Sequence, residues 1–199
     1  SSVNPVRDID TIETELCLAD MDIAQRARTK TQKQMRSQNN GQDIVDAWDE
    51  VIALLSNQSF LREDNLSELA WELCQSHQLL MAKPMFYLAN CEETRSGPYV
   101  DQLEAHAKEK GADVVKICSH LEAEISQLDE DDQAVFLADA NLEEPGLNLV
   151  IREGYKLLNL KTFFTAGEKE IRAWTYRDGQ NAQMAAGVIH TDFIKGFIR

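Results

Sequence analysis

LKTFFTAGEKEIRAWTYRDGQNAQMAAGVIHTDFIKGFIR, residues 160–199, opens with two runs rich in aromatic and β-branched residues, 161–165 and 170–176, separated by Ala166-Gly167-Glu168. Such runs about a short glycine-containing break predict a β-hairpin. The second run alternates, with Ile171, Ala173 and Thr175 against Arg172, Trp174 and Tyr176. Asp178-Gly179 predicts a turn, and Asn181 suits the cap of a helical run over 182–189. His190-Thr191-Asp192 reads as a second turn, leading into a last strand that starts near Gly196. Strand, strand, helix, strand is the opening of a β-grasp module.

Upstream, Pro145 predicts the first position of a helix whose Leu147, Val150, Ile151, Gly154, Tyr155 and Leu158 share one face. Shorter helices are expected over 122–127 and 130–139. Residues 84–89 form a continuous apolar run of strand length, as in a parallel strand buried on both faces. Residues 99–110 read as a helix with Val100, Leu103 and Ala107 inward and Gly111 ending it, and 114–118 as a second buried strand. Strand, helix, strand is a βαβ unit and implies a parallel sheet. Two strands are too few for an α/β core, so the remaining strands are expected elsewhere.

The first eighty residues are helical in pattern. Ile9, Ile12 and Leu16 repeat at helical spacing over 8–18, while 21–38 offers only Ile23, Ala24, Ala27 and Met35. After the turn signal at 39–41, Ile44, Val45, Trp48, Val51, Ile52 and Leu55 form a clear amphipathic stripe, so the two helices predict an antiparallel hairpin. A loop over 56–62 and a helix over 65–80, carrying Leu69, Trp71 and Leu73, complete this part.

Hydrophobic residues at 43% and charged residues at 27% place the chain among ordinary globular proteins. No apolar run approaches the ~18 residues of a membrane span, so no membrane partner is expected. Cys17, Cys74, Cys91 and Cys118 are far apart and include no CxxC pair, which indicates neither a zinc site nor a disulfide framework and fits a reducing cytoplasm. The net charge of −14 is unevenly spread: −7 over 1–80, −9 over 81–160 and +2 over 161–199. Arg26, Arg28, Lys30, Lys33 and Arg36 stand with no acid between Ile23 and Gln42. Bulk charge argues against indiscriminate nucleic-acid binding, while this basic run is a candidate RNA contact. A solvated helix face is the competing reading.

FFTAGEKEIRAWT followed by AAGVIHTDFIKGFIR closely resembles the TGS domain of the YchF family, the Obg-related P-loop ATPases of the translation-factor class. VNPVRDIDTIETEL at the start, KPMFYLAN in the middle and EEPGLNLVIREGYKLLNL before the hairpin resemble the same family; over 21–82 only the pattern matches. The resemblance implies an α/β fold: a partial P-loop NTPase with a Rossmann-like parallel sheet and an inserted antiparallel helical hairpin, then a partial β-grasp (TGS) module. Residues 1–19 and 83–159 would form the C-terminal half of the nucleotide-binding domain, 20–82 the coiled-coil-like insertion, and 160–199 the N-terminal part of the TGS domain.

In open α/β sheets ligands bind beyond the carboxyl ends of the strands, which singles out Asn90 to Glu93 and Ser119-His120. An Asn amide offers a donor and an acceptor side by side, which suits a purine edge. GTPases place NKxD here; this chain has Cys91 for the Lys and Glu93 for the Asp, which weakens a guanine reading and resembles the family's NxxE. By that resemblance Asn90 reads the base, Cys91 adds a main-chain contact, Glu93 completes the loop, and Ser119 belongs to the second loop. His120 departs from the family's small residues. ATP, or GTP, with Mg²⁺ is the implied cofactor of the intact protein, the ribosome or its RNA the implied partner, and a monomer the expected state.

No GxxxxGK[ST] run occurs, so no loop cradles phosphates and no Ser or Thr is placed on Mg²⁺. The family's glycine-rich switch region would precede Val3, and its TGS pattern continues past Arg199. The chain is therefore expected to be a fragment, inactive alone and binding nucleotide only weakly. His190 reads as a turn residue, His77 and His106 as helical residues without partners at metal-ligand spacing, and residues 129–132 as an acidic helix start rather than a calcium loop. The alternative function is a non-enzymatic RNA-binding, ribosome-binding or protein-interaction adaptor built on the TGS module.

Overall fold

The computed structural model describes the backbone of residues 3–38, 41–168 and 170–198, and the side chains of the same residues apart from 35–38. The fold is mixed α/β, in two compact units: Ser1–Tyr87 with Ser96–Val114, and Leu88–Arg95 with Val115–Arg199.

The first unit is helical. One helix, α1, spans Pro5–Gln38 without a break and joins the stretches read at 8–18 and 21–38, because no Gly or Pro interrupts 6–38. Its buried stripe is Glu13, Cys17, Asp20 and Ala24, whereas Ile12 is 61% exposed. The expected Ile9, Ile12 and Leu16 face is therefore not the one that is buried. The reason lies in polar pairing: the Asp20 carboxylate accepts the backbone N–H of Leu80 at 2.8 Å and of Met81 at 2.7 Å. A fully buried acid is tolerated when such donors replace water. α2, Gln42–Ser56, packs antiparallel to α1, with Asp49 against Arg28 and Gln58 beyond its end against Thr14, and buries Val45, Ala47, Trp48, Val51 and Leu55. α3 covers only Glu68–Ser76, shorter than the expected 65–80. Ser67 caps it by accepting from Ala70 N–H at 3.3 Å, while Asn65 Oδ1 closes a preceding 3-10 turn on Arg62 N–H. Gln78 in left-handed backbone (φ 54°) ends the helix and drops Leu79 into the core. α4, Pro98–Lys110, buries Leu103 and Ala107, and Gly111 ends it at φ 63°.

β1, Tyr87–Asn90, pairs with β2, Val114–Ile117. Tyr87 N–H donates to Asp113 O at 2.9 Å and Cys91 N–H to Ile117 O at 2.7 Å, so the pair is parallel. β1 starts three residues later than the expected 84. In the second unit Ala89 and Val115 turn inward, but Leu88 is 49% exposed. The expected burial on both faces is not found: the sheet has two strands among the described residues, and one face of β1 lacks a covering layer.

The second unit continues with α5 (Ser119–Ile125), α6 (Glu130–Asp139) and α7 (Gly146–Leu157). It ends with the antiparallel hairpin of β3 (Leu160–Ala166) and β4 (Ile171–Arg177). Pro145 is the cap of α7 rather than its first residue. The expected stripe on α7 forms but is largely open, with Leu147 62% and Ile151 50% exposed. In the hairpin Phe163 pairs with Trp174; its ring meets Tyr176 edge-on at 5.9 Å, and Trp174 Nε1 donates to Thr165 Oγ1 at 2.9 Å. α8 covers Ala182–Ala186, capped by Asn181 as expected but shorter than 182–189. The strand expected near Gly196 is absent from residues 196–198; the chain instead forms α9, Asp192–Lys195. Local contacts decide this. His190 Nδ1 accepts from Asp192 N–H at 3.2 Å, and Ile194 lies so close to Gly187 that a Cβ there would meet it at 2.5 Å. No helix among the described residues is long and apolar enough to cross a membrane.

Candidate functional site

The loops that follow β1 and β2 meet in the second unit. Cys91 closes the strand ladder through its N–H, and its thiol turns back toward Ala89 O at 3.5 Å. Asn90 is thereby left at the carboxyl edge, where its Oδ1 accepts the N–H of Ser119 at 3.1 Å. That bond uses the acceptor half of the amide, and the Nδ2 donor remains for a ligand. Glu92 to Arg95 form a turn, with Arg95 N–H donating to Glu92 O at 2.9 Å and Arg95 in left-handed backbone at φ 48°.

Residues 90–94 and 118–120 line a cleft of about 480 Å³. Asn90, Cys91, Glu93 and Ser119 are thus brought together, and His120 joins them at the rim, 3.5 Å from Glu124. Glu92 and Glu93 make the rim acceptor-rich, which repels phosphate and favours a ring that offers N–H donors.

Three residues that support this loop were missed by sequence reasoning. Glu122 Oε1 accepts from Gly146 N–H at 2.7 Å and Oε2 from Leu147 N–H at 3.2 Å, so its carboxylate sits on the first turn of α7. The Arg95 guanidinium lies 3.6 Å from the same carboxylate. A Cβ on Gly146 would stand 2.6 Å from Glu122 Oε1 and 2.9 Å from Ile117 Cγ2, so the glycine is required by close approach. The only trace in the sequence is a glycine in a first helical turn, after Glu143-Glu144-Pro145.

The basic run divides. Arg28 is spent on a bidentate pair with Asp49, Nε to Oδ1 at 2.5 Å and Nη2 to Oδ2 at 3.0 Å, which joins α1 to α2. The pair holds the Asp49 carboxyl below the usual carboxylate range. Arg26 pairs with Asp22 one turn back at 2.8 Å, while Lys30 and Lys33 are exposed beside it along one groove. The Arg36 side chain lies outside the described residues.

Residues 160–199 match the family model YchF-GTPase_C, described as a protein of unknown function (DUF933). The chain is 44% identical over 200 residues to a ribosome-binding ATPase YchF of Pasteurella multocida, covering 99% of the chain and 55% of that protein. With the protein of the same name from Bacillus subtilis the identity is 34% over 206 residues, covering 99% of the chain and 56% of the relative. Over nearly its whole length the chain is similar to proteins of the YchF family. The solved structure of the Schizosaccharomyces pombe YchF GTPase superposes with a TM-score of 0.85 at 28% identity, over 100% of this chain and 56% of that one. The chain thus spans about half the length of the curated YchF relatives it matches.

Proposed function

We propose that this chain is the base-recognising part of a ribosome-associated, cytoplasmic P-loop ATPase of the YchF class. In this reading residues 1–19 and 83–159 belong to the nucleotide-binding domain, 20–82 to a helical insertion and 160–199 to the start of a TGS module. The observation that carries it is the hydrogen bond from Ser119 N–H to Asn90 Oδ1 at 3.1 Å, which joins the two loops beyond the parallel strands. Asn90 Nδ2 donates to a purine ring nitrogen, the Cys91 main chain lines the ring, and Glu93 accepts from an exocyclic amino group. An acceptor at that last position takes adenine N6 or guanine N2 alike; the preference for adenine rests on Cys91 and Glu93 standing where GTPases place Lys and Asp. Phosphates and Mg²⁺ are held by residues outside this cleft, consistent with its acidic rim.

Two-dimensional NMR of the ¹⁵N-labelled chain, titrated with ATP, GTP and adenosine, tests this. Shifts are expected at the amides of Cys91, Glu93, Ser119 and His120, similar for ATP and adenosine because the base supplies the contact. Asn90→Ala removes a donor worth about 1–3 kcal/mol to a buried base edge and should abolish them. Shifts confined to other residues, or retained in Asn90→Ala, remove this cleft from nucleotide binding.

A further inference from the structure

In the first unit, α1 and α4 bring together a group of side chains that the nucleotide reading leaves unused. A carboxylate oxygen of Asp10, one of Glu13 and a ring nitrogen of His106 all lie within 4.8 Å of one another. Glu13 is 2% exposed. The Tyr87 hydroxyl donates to its Oε1, while Oε2 receives no well-directed hydrogen bond and lies 3.0 Å from Lys110 Nζ. His106 Nε2 is screened from water and has no hydrogen-bond partner, and the ring meets Tyr87 edge-on at 6.0 Å. The orphaned imidazole nitrogen beside this buried acid costs free energy while it is left unsatisfied. The sequence hides the group, since His106 has no ligand-type residue at short spacing and its neighbours come from the other end of the unit.

We propose that Asp10, Glu13 and His106 form a binding site for a first-row divalent transition-metal ion, with Zn²⁺ the best match. Two carboxylate oxygens and one imidazole nitrogen are a borderline donor set that suits Zn²⁺ or Co²⁺, whereas Mg²⁺ prefers oxygen alone. Ligand distances of about 2.0–2.2 Å require donor atoms roughly 3.5 Å apart, so the group closes by about an ångström. Asp10 is exposed and can supply that movement by rotation. Tyr87 holds Glu13 through Oε1 and leaves Oε2, which receives no well-directed hydrogen bond, for the ion. Lys110 is the competitor: the ion replaces its ammonium as the countercharge of Glu13. The lysine already approaches Gln58 O at 3.5 Å and the Phe60 ring at 5.7 Å, which gives it somewhere to go. Water fills the fourth position, and the ion clasps α1 to α4.

The test uses the full chain, dialysed against chelator and titrated with Zn²⁺ by calorimetry and with Co²⁺ by visible absorption. One equivalent should bind, with the visible bands of a nitrogen and oxygen site, and the thermal midpoint should rise because only the folded chain holds the ion. His106→Ala and Asp10→Asn should each weaken binding at least about tenfold, with the circular dichroism of the metal-free chain unchanged. Lys110→Met should tighten it, a gain that no adventitious surface site such as His120 with Glu124 would show. If Lys110→Met does not fold without metal, recovery of its folded spectrum on adding Zn²⁺ supports the site equally, and failure to recover counts against it. The proposal is overturned by absence of saturable binding, by affinity unchanged in His106→Ala, or by a near-ultraviolet thiolate band placing the ion on a cysteine.

Discussion

Single buried residues carry more of the first unit than their type suggests. Asp20 is fully buried on α1 and its two oxygens hold the amides of Leu80 and Met81. Asp20→Ala leaves both donors unpaired in the core and should cost about 2–5 kcal/mol, while Asp20→Asn keeps one acceptor and should cost less. Urea unfolding of the two variants checks the order, and equal stability of Asp20→Ala and wild type would show that water reaches these amides. The neighbouring thiols give a pH signature. Burial, with Asp20 adding to it, pushes the Cys74 thiol up to about 12 and the Cys17 thiol up from its ordinary value of 9.0. Burial and the Glu13 contact raise the Tyr87 phenol as well. These groups hold their protons more tightly folded than unfolded. Their contribution is therefore complete below the ordinary thiol value and lost as pH rises through the folded values. The urea midpoint should fall between about pH 9 and pH 11, and a flat profile there would mean that these side chains are hydrated.

At the scale of elements, what joins them is often not what their sequence patterns announce. By helix propensity alone, Gly146→Ala on α7 should stabilise by about 0.5–1 kcal/mol. The space between Glu122 and Ile117 admits no Cβ, so the substitution should instead destabilise by about 1–3 kcal/mol. The sign of the change in thermal midpoint decides between the two. On α1, Arg26, Lys30 and Lys33 are the described members of the basic run that face solvent, and Arg28 is not free to join them. If the run contacts RNA, reversing Arg26, Lys30 and Lys33 to Glu in a ribosome-pelleting assay should reduce binding and flatten its salt dependence. Undiminished pelleting across the salt series would leave the run as a solvated face. Legibility follows the same division. The α1–α2 hairpin, the strand-helix-strand order and the β3–β4 hairpin were readable because apolar periodicity and turn residues encode them locally. The buried face of α1, the shortened α3 and the α9 turn were not, because Asp20, Gln78 and Ile194 act through partners that sequence spacing does not reveal. Asn90 and Ser119 were legible as candidates from their place after the strands; their mutual bond and the support from Arg95, Glu122 and Gly146 were not.

At the scale of the whole molecule, the chain spans about half the length of its curated relatives, and none of its 199 residues forms a GxxxxGK[ST] run. Most nucleotide affinity in P-loop proteins comes from phosphates held by backbone amides, a lysine and Mg²⁺. On the reading proposed above, the cleft at Asn90 offers base contacts alone, behind a rim carrying Glu92 and Glu93. Those contacts must also offset the loss of freedom on binding, which is several kcal/mol. ATP should therefore bind no tighter than roughly millimolar, about −4 kcal/mol, and Mg²⁺ should not strengthen it. Hydrolysis of ATP or GTP should be undetectable, since Glu92 and Glu93 at the rim repel a γ-phosphate. A phosphate-release assay on the purified chain, beside calorimetric titration of ATP with and without Mg²⁺, measures both. Steady turnover, or micromolar binding that requires Mg²⁺, would demand a phosphate site within these residues and would displace the base-recognition reading of Asn90.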